Sequence, residues 1–404
     1  MILVCIGLAL TQFLFWFGGL LLARMFRDRA RRENPSSAQT AGSSSQAVIG
    51  SSAVADSPGQ PCSNNHADTL SVRPPLTIFR PLKPGTFRLR PRLDSFLNQL
   101  VPGDEVLFGV STNQIQEGSI CRSLFNPKVR IAVIECEPDQ LPNPKVNKLA
   151  QMQAHAGCDR WLLLDSEAVP TARFLSELLR HPSQTTAVTA IYRFTEVRCS
   201  SELADAVATL HFLWIGTLWR RCLANQDHLF GACTVVGRPM IEQIGGFRRL
   251  GSYLADDYHL GRLLHQAGFK IELAAEPVDL EMDRLNWEDF FIHQIRVACT
   301  YRTSSPAGYF GSVLAQAMPA IVAGMFVSWQ MALLVISASV FLRAIAYFFI
   351  EQALGGRTSF RRMLLITPVL LGIESIVWSA SWFLSRVSWG NRKIVLDREG
   401  RIHE

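Results

Sequence analysis

Apolar and polar positions follow one another along this chain in distinct textures. From Ile2 to Leu22 no charged residue interrupts an apolar run of about a membrane thickness, taking about 1.5 Å per helical residue. From Asn34 to about Val72 the chain turns to Ser, Ala, Gly, Gln and Asn, with few large apolar side chains. Such a stretch buries too little to offset chain entropy, which predicts a disordered tether. From Pro74 short apolar runs of strand length, LTIF, EVLFGV, RIAVIEC, WLLLD and TAVTAIY, are separated by helix-like stretches such as Asn147 to Ala156 and Thr171 to Arg180. Near-continuous apolarity suits strands covered on both faces, and β and α alternating at this spacing predict an α/β domain with a mostly parallel sheet.

After Tyr309 the membrane texture returns. Leu314 to Ile350 is a long apolar stretch broken by Pro319, Gln330 and Arg343, too long for one comfortable crossing and short for two. A tight hairpin turning near Trp329 and Gln330 is expected, which keeps the loop RTSFRR on the cytoplasmic side. The last run, Leu364 to Leu384, carries Pro368, Glu374 and two tryptophans. It is compatible with spanning, re-entering or lying at the interface.

Composition sharpens this picture. The 404 residues are 48% hydrophobic and only 18% charged, where soluble enzymes run to about a quarter charged. The formal net charge of +6 is concentrated beside apolar runs, in RMFRDRARR after the first and RTSFRRM before the last. That placement follows the positive-inside bias and puts Arg24 onward in the cytoplasm. Ile2 to Leu22 lacks a charged start and a small-residue cleavage site, so it reads as a retained anchor. No basic stripe is interleaved with aromatics, which argues against nucleic acid. Nine cysteines stand singly, none at metal-ligand or redox spacing, as in a reducing compartment.

Candidate chemistry gathers in a few segments. In WLLLDSEAVP, Asp165 and Glu167 follow a strand at its carboxyl end, where ligands of open α/β sheets collect. Their spacing lets two carboxylates share a hard divalent cation, although acidic residues also commonly end strands at turns. NPKVNKL offers Asn143, Lys145, Asn147 and Lys148 near a helix N-terminus, which favours anions; an ordinary capped helix has the same pattern. YLADDYHLGRLLHQAGFKI opens an amphipathic helix on Asp256 and Asp257; one aspartate there simply caps a helix, while two side by side suit a general base toward an incoming hydroxyl. HQIRVACTYR carries Arg296 and Arg302, six apart and so on different faces, either of which matches a diphosphate leaving group; a pair of arginines binding lipid headgroups has the same pattern. In FGACTVVGRPMIEQIGGF the small residues Gly231 to Cys233 admit close approach of a substrate, and Gly245 and Gly246 end a helix begun near Pro239.

In this order the segments resemble the ceramide glucosyltransferases, and more closely their bacterial hopanoid-associated relatives. FRPLKPG, NPKVNKL, LLLDSEAVP, FGACTVVGRPMIEQIGGF, YLADDYHLGRLLHQAGFKI, HQIRVACTYRTSSPAGYF and VSWGNRKIVLDREGRI carry the match over roughly Pro74 to Glu404. The resemblance implies a GT-A fold and inverting transfer of a sugar from a nucleotide-sugar, UDP-linked in these relatives, to a lipid hydroxyl such as that of ceramide or a hopanoid. It implies that Asp165 holds a divalent metal (Mn2+ or Mg2+) and the donor diphosphate, with Glu167 as a second acid. Asp257 falls on the base that deprotonates the acceptor, with Asp256 beside it. Arg296 falls on the residue that steadies the leaving diphosphate, and Lys145, Asn147 and Gln294 on donor-binding positions.

The implied organisation is an anchor (1–23), a basic flank and linker (24–73), a cytoplasmic GT-A domain (74–308), membrane segments (309–388) and a cytoplasmic tail (389–404), in the bacterial inner membrane or its equivalent. Two features depart from the family. Its aspartate after the LFSV-like strand is replaced by Ser111, Thr112, Asn113 and Gln114, and Val297 follows Arg296 where the signature has tryptophan. These losses favour a catalytically impaired homologue acting as a lipid- or nucleotide-binding partner. The retained acids and Arg296 favour an enzyme, which is the expectation.

Overall fold

The computed structural model describes residues 1–33, 73–86, 88–178, 184–223, 228–390 and 392–403. The tether expected from Asn34 to about Val72 lies outside them, as does the end of the helix expected to reach Arg180.

The expected α/β domain is present. Strands β1 (Thr77–Pro81), β2 (Glu105–Ser111), β3 (Arg130–Cys136) and β4 (Arg160–Leu164) are parallel neighbours. With β6 (Thr186–Thr189), β8 (Cys233–Gly237) and β9 (Lys270–Leu273) they make a sheet in the order β3-β2-β1-β4-β8-β6-β9, in which β8 runs antiparallel to both neighbours. Alternate residues of each strand feed cores on opposite faces, as the period of two requires. Ile78, Val106, Phe108 and Leu162 enter one core, while Phe79, Leu107, Trp161 and Leu163 enter the other.

TAVTAIY, expected as one strand, is divided. The chain leaves the large sheet after Thr189, and Ile191 O accepts from Val278 N (2.9 Å). The next residues, β7 (Tyr192–Phe194), join a small sheet with β5 (Ala168–Val169) and β10 (Val278–Leu280). This step carries Tyr192 beneath the carboxyl ends of the large sheet's strands.

Among the described residues three helices are long and apolar enough to cross a membrane: Ile2–Asp28, Trp329–Ala353 and Phe360–Ser381. The first belongs to a helix that continues to Glu33, past the expected end of the anchor. Pro306–Ala315 and Met318–Met325 are bent by 50° and count as a fourth if they form one span. The hairpin expected near Trp329 turns just before it, where Ser328 caps the following helix by accepting from Met331 N (3.1 Å). Pro319 lies in the first turn of its helix, where a missing N–H costs nothing. Inside the bundle Arg343 pairs with Glu374, donates to Ala315 O (2.8 Å) and lies over the Trp16 ring (4.9 Å to its centroid).

The sheet domain joins this bundle through a continuous helical stretch made of Ser200–Thr209, a π segment Leu210–Ile215 and Gly216–Leu223. Trp219 Nε1 donates to Phe15 O (3.0 Å). A Cβ at Gly18 would lie 2.5 Å from the Trp219 ring and one at Gly19 2.6 Å from Ile215, so the first apolar helix needs glycine at both positions to lie this close. After the last membrane helix an antiparallel meander, β11 (Arg386–Trp389), β12 (Arg392–Leu396) and β13 (Ile402–His403), returns to the sheet domain.

Candidate active site

The site is built from the carboxyl ends of the strands outward. Asn143 caps helix Pro144–Met152, its side-chain oxygen accepting from Lys145 N (2.9 Å) and Val146 N (3.1 Å). Its amide donates to Tyr253 O (2.8 Å), which ties the helix to the segment before the acidic pair. Lys145 then reaches three places at once: Asp165 Oδ1 at 2.7 Å, Asp256 Oδ2 at 3.6 Å and Gly231 O at 3.1 Å. Gly231 leaves room for Asp257, since a Cβ there would lie 3.1 Å from Asp257 Oδ2 and 3.4 Å from Lys145 Nζ. Four segments far apart in sequence thus place three carboxylates around one ammonium.

The electrostatics follow from that crowding. Burial opposes the charge on Lys145, but Asp165, Asp256 and Asp257 outweigh it and raise its pKa, so it stays protonated. Burial, then the neighbouring Asp256, pushes the Asp257 carboxyl up to about 6, against the pull of Lys145. Burial raises Asp256 as well. A carboxylate ionised at neutral pH yet more basic than usual is suited to accept a proton.

A second group stands on helix Trp287–Ser304. Asp205, from helix Ser200–Thr209, accepts from Gln294 Nε2 (2.7 Å) and lies 2.7 Å from His293 Nδ1. Arg296 is half-buried, and the solvation it loses lowers its pKa, while the fields of Asp205 and Tyr192 favour its charge. Burial chiefly raises the phenols of Tyr192 and Tyr301, and the field of Asp257 adds to both, so these two phenols lie near the acidic cluster. Arg302 points elsewhere and donates to Leu384 O (3.1 Å), as the six-residue spacing requires. Beside Arg296 a narrow crevice runs between this helix and Phe360–Ser381, lined by Gln294, Val297, Tyr301, Glu374 and Trp378 among others.

The remaining expected residues stand apart from the cluster. Glu167 pairs with Lys83, which also binds Asp283 Oδ2 (2.7 Å), because the chain turns at Ser166 and Glu167. Arg80 Nη2 fixes that turn by donating to Ser166 O (3.1 Å). Asn147 donates to Glu137 O (2.7 Å) beyond β3. Where an acid was missing after β2, Gln114 Oε1 accepts from Ser111 N (2.9 Å) and from Lys148 Nζ (2.6 Å), and burial brings Lys148 down to about 8. Asp205, Tyr192 and Tyr301 were not singled out in the sequence. Asp205 left one trace, a carboxylate in the middle of the otherwise apolar stretch LADAVATL.

The sequence matches the description "Glycosyl transferase family 21" over residues 43–402. The chain belongs to glycosyl transferase family 21. It is similar to ceramide glucosyltransferase 1 of Caenorhabditis elegans, 22% identical over 218 residues that cover 50% of this chain and 45% of that protein. The aligned part therefore spans less than half the length of that relative. Among solved structures it is similar to the glucosyl-3-phosphoglycerate synthase of Mycobacterium tuberculosis. The complex of that protein with Mn2+, UDP-glucose and phosphoglyceric acid is 13% identical, covers 57% of this chain and 79% of that one, and has a TM-score of 0.34. Its complex with Mg2+ and UDP is 15% identical with the same shares and a TM-score of 0.33.

This family 21 member holds, among its described residues, no group of three His, Cys, Asp or Glu side chains placed to cage a metal. The donors present nonetheless fit a divalent ion that completes its shell from a substrate. Mg2+ and its like are commonly held by one or two carboxylates together with substrate phosphates. Asp165 keeps 31% of its side chain exposed at the strand ends, and the three carboxylates outnumber the one ammonium among them.

Proposed function

We propose that this protein is a membrane-bound inverting glycosyltransferase that moves a sugar from a nucleotide-sugar, UDP-linked, to the hydroxyl of a membrane lipid of the ceramide or hopanoid type. The observation that carries the reading is the placement of Asp257 against Gly231 and beside the Lys145–Asp165 pair. A base thus stands beside a cationic group suited to a leaving diphosphate. The crevice of Gln294, Val297 and Tyr301 opens between the Arg296 helix and an apolar helix long enough to span a bilayer, which favours a lipid acceptor. Family membership and the similarity to a ceramide glucosyltransferase support the same reading.

In this reading the acceptor oxygen attacks the anomeric carbon while Asp257 takes its proton. The bond to the diphosphate oxygen breaks, and Lys145 and Arg296 stabilise the charge that develops there. Asp256 shares Lys145 and keeps its partner carboxylate basic. Asp205 fixes Gln294 beside Arg296. A divalent ion held by Asp165 with the diphosphate would neutralise the same charge. The positive flanks at Arg24 and Arg357 to Arg362 favour a cytoplasmic face for this site.

Purified protein in detergent with Mn2+ or Mg2+, offered a panel of UDP-sugars and a total lipid extract, should form a glycolipid. Asp257→Asn should abolish that product and retain UDP binding. Wild-type protein that binds UDP and turns over no lipid would replace this reading with that of a nucleotide-binding partner protein.

A further inference from the structure

The C-terminal meander lies against the segment that delivers the acidic pair. Leu254 N donates to Gly400 O (3.1 Å) and Ile402 N donates to Ser252 O (2.7 Å), so residues 252–254 are bonded to the chain's end as a short antiparallel ladder. The guanidinium of Arg401 lies 5.6 Å from the Tyr253 ring centroid, and His259 is stacked on that ring at 3.8 Å. On the other side the same segment is held by Asn143, whose amide binds Tyr253 O and whose N–H binds Gly251 O (2.8 Å). Asp256 and Asp257 follow within two to three residues of this clamp.

The meander also reaches the second half of the site. Val387, Ile394, Leu396 and Ile402 form one small core with Leu254, from the acid-bearing loop, and Cys299, from the Arg296 helix. Cys299 and Arg302 in turn bond to Leu384 O at the end of the last membrane helix. The chain after that helix therefore holds together the two elements that bear Asp257 and Arg296.

We infer that residues 386–403 are a positioning element of the active site, in which Arg401 and Ile402 hold Tyr253 and Leu254 so that Asp256 and Asp257 face Lys145 and Gly231. The inference rests on the transfer reading above for its kinetic consequence, but its structural content stands apart. Arg401 and Ile402 act through the loop and not on the substrate. Lys145 and Asp165 sit on other elements, so loss of the Arg401 and Ile402 contacts leaves those two donor contacts in place and misplaces the base.

The test compares full-length Ile402→Pro, which deletes the N–H that binds Ser252 O, with Ile402→Val, which keeps it. Amide exchange is followed in peptides covering residues 251–258 and residues 144–152, alongside kinetics. Expected for Ile402→Pro is an exchange rate at least about tenfold faster in 251–258 and unchanged in 144–152. Its kcat falls by about tenfold or more, with the donor KM within about twofold of wild type, because small misplacements of a base are costly. Ile402→Val behaves as wild type in each respect. Unchanged exchange in 251–258 overturns the inference, as does a parallel shift of both peptides, kcat, KM and melting temperature. If wild type itself shows no turnover, the transfer reading fails and the exchange data alone decide the clamp.

Discussion

Asp257→Asn separates the two consequences of crowding three carboxylates around one ammonium. In wild type, burial and Asp256 lift the Asp257 carboxyl from 3.8 to about 6, which as a ceiling costs its ionised form about 3 kcal/mol. Part of that cost is shared with Asp256 and part is screened at the open edge, leaving about 1–2 kcal/mol. A carboxyl with a raised folded pKa retains its proton longer in the native state than in the unfolded one. Its favourable contribution is complete below about pH 4 and is lost as pH rises through about 6. The asparagine is neutral throughout, so the variant should match wild type at low pH and exceed it above about pH 6. For a domain of this size the gain is about 2–8 °C in melting temperature. Turnover should fall by about 10²–10⁴ as the proton acceptor disappears. Thermal melting in detergent at about pH 4 and about pH 7.5, with glycolipid formation measured on the same preparations, checks both. A variant that melts no higher than wild type at the upper pH refutes the crowding argument. One that retains wild-type turnover refutes the role of base.

Other outcomes follow from the same geometry. In wild type, kcat/KM should fall as pH drops through about 6, since the base must be ionised, and a flat profile down to pH 5 would contradict that assignment. Gly231→Ala places a methyl 3.1 Å from Asp257 Oδ2 and 3.4 Å from Lys145 Nζ, so turnover should drop about tenfold in steady-state assays with melting unchanged. Asp205→Asn removes the charge that holds Gln294 and faces Arg296, and donor kcat/KM should fall about 10–100-fold, as expected for a charge-assisted hydrogen bond. Gly18→Leu drives a side chain into Trp219 and should destabilise the detergent-solubilised protein by about 1–3 kcal/mol in melting experiments, with turnover per folded molecule preserved.

The parts of the site carried by short motifs were legible before the structure. Lys145, Asp165, Asp256 and Asp257 each sit at a strand end or helix start, where local pattern and chemistry coincide, and the fold brings them together. Glu167 shows the limit of spacing. Two residues after Asp165 would share its side in an extended strand, but a turn intervenes and Lys83 takes the carboxylate. TAVTAIY reads as one strand because apolarity cannot report which sheet a residue joins; the partners Cys233 and Val278 decide that. Asp205 lies on a helix whose sequence shows no motif, and Tyr301 stands inside HQIRVACTYR, a segment marked by its arginines, so the meaning of both comes from the elements packed against them. The tail's contact with residues 252–254 spans nearly 150 positions of sequence, a separation over which no periodic pattern carries information.

The buried pair of Arg343 and Glu374 constrains how the protein is made. Each residue sits in the middle of a helix apolar enough to enter a bilayer, and a lone arginine at that depth costs about 2.5–3.5 kcal/mol even on the lenient insertion scale. Neither helix is therefore at ease in lipid until the other arrives. Trp16, which Arg343 also covers, belongs to a helix that precedes both in the chain. Biogenesis should accordingly retain Trp329–Ala353 beside the insertion machinery until Phe360–Ser381 follows, and release the two as one unit onto a helix already waiting in the membrane.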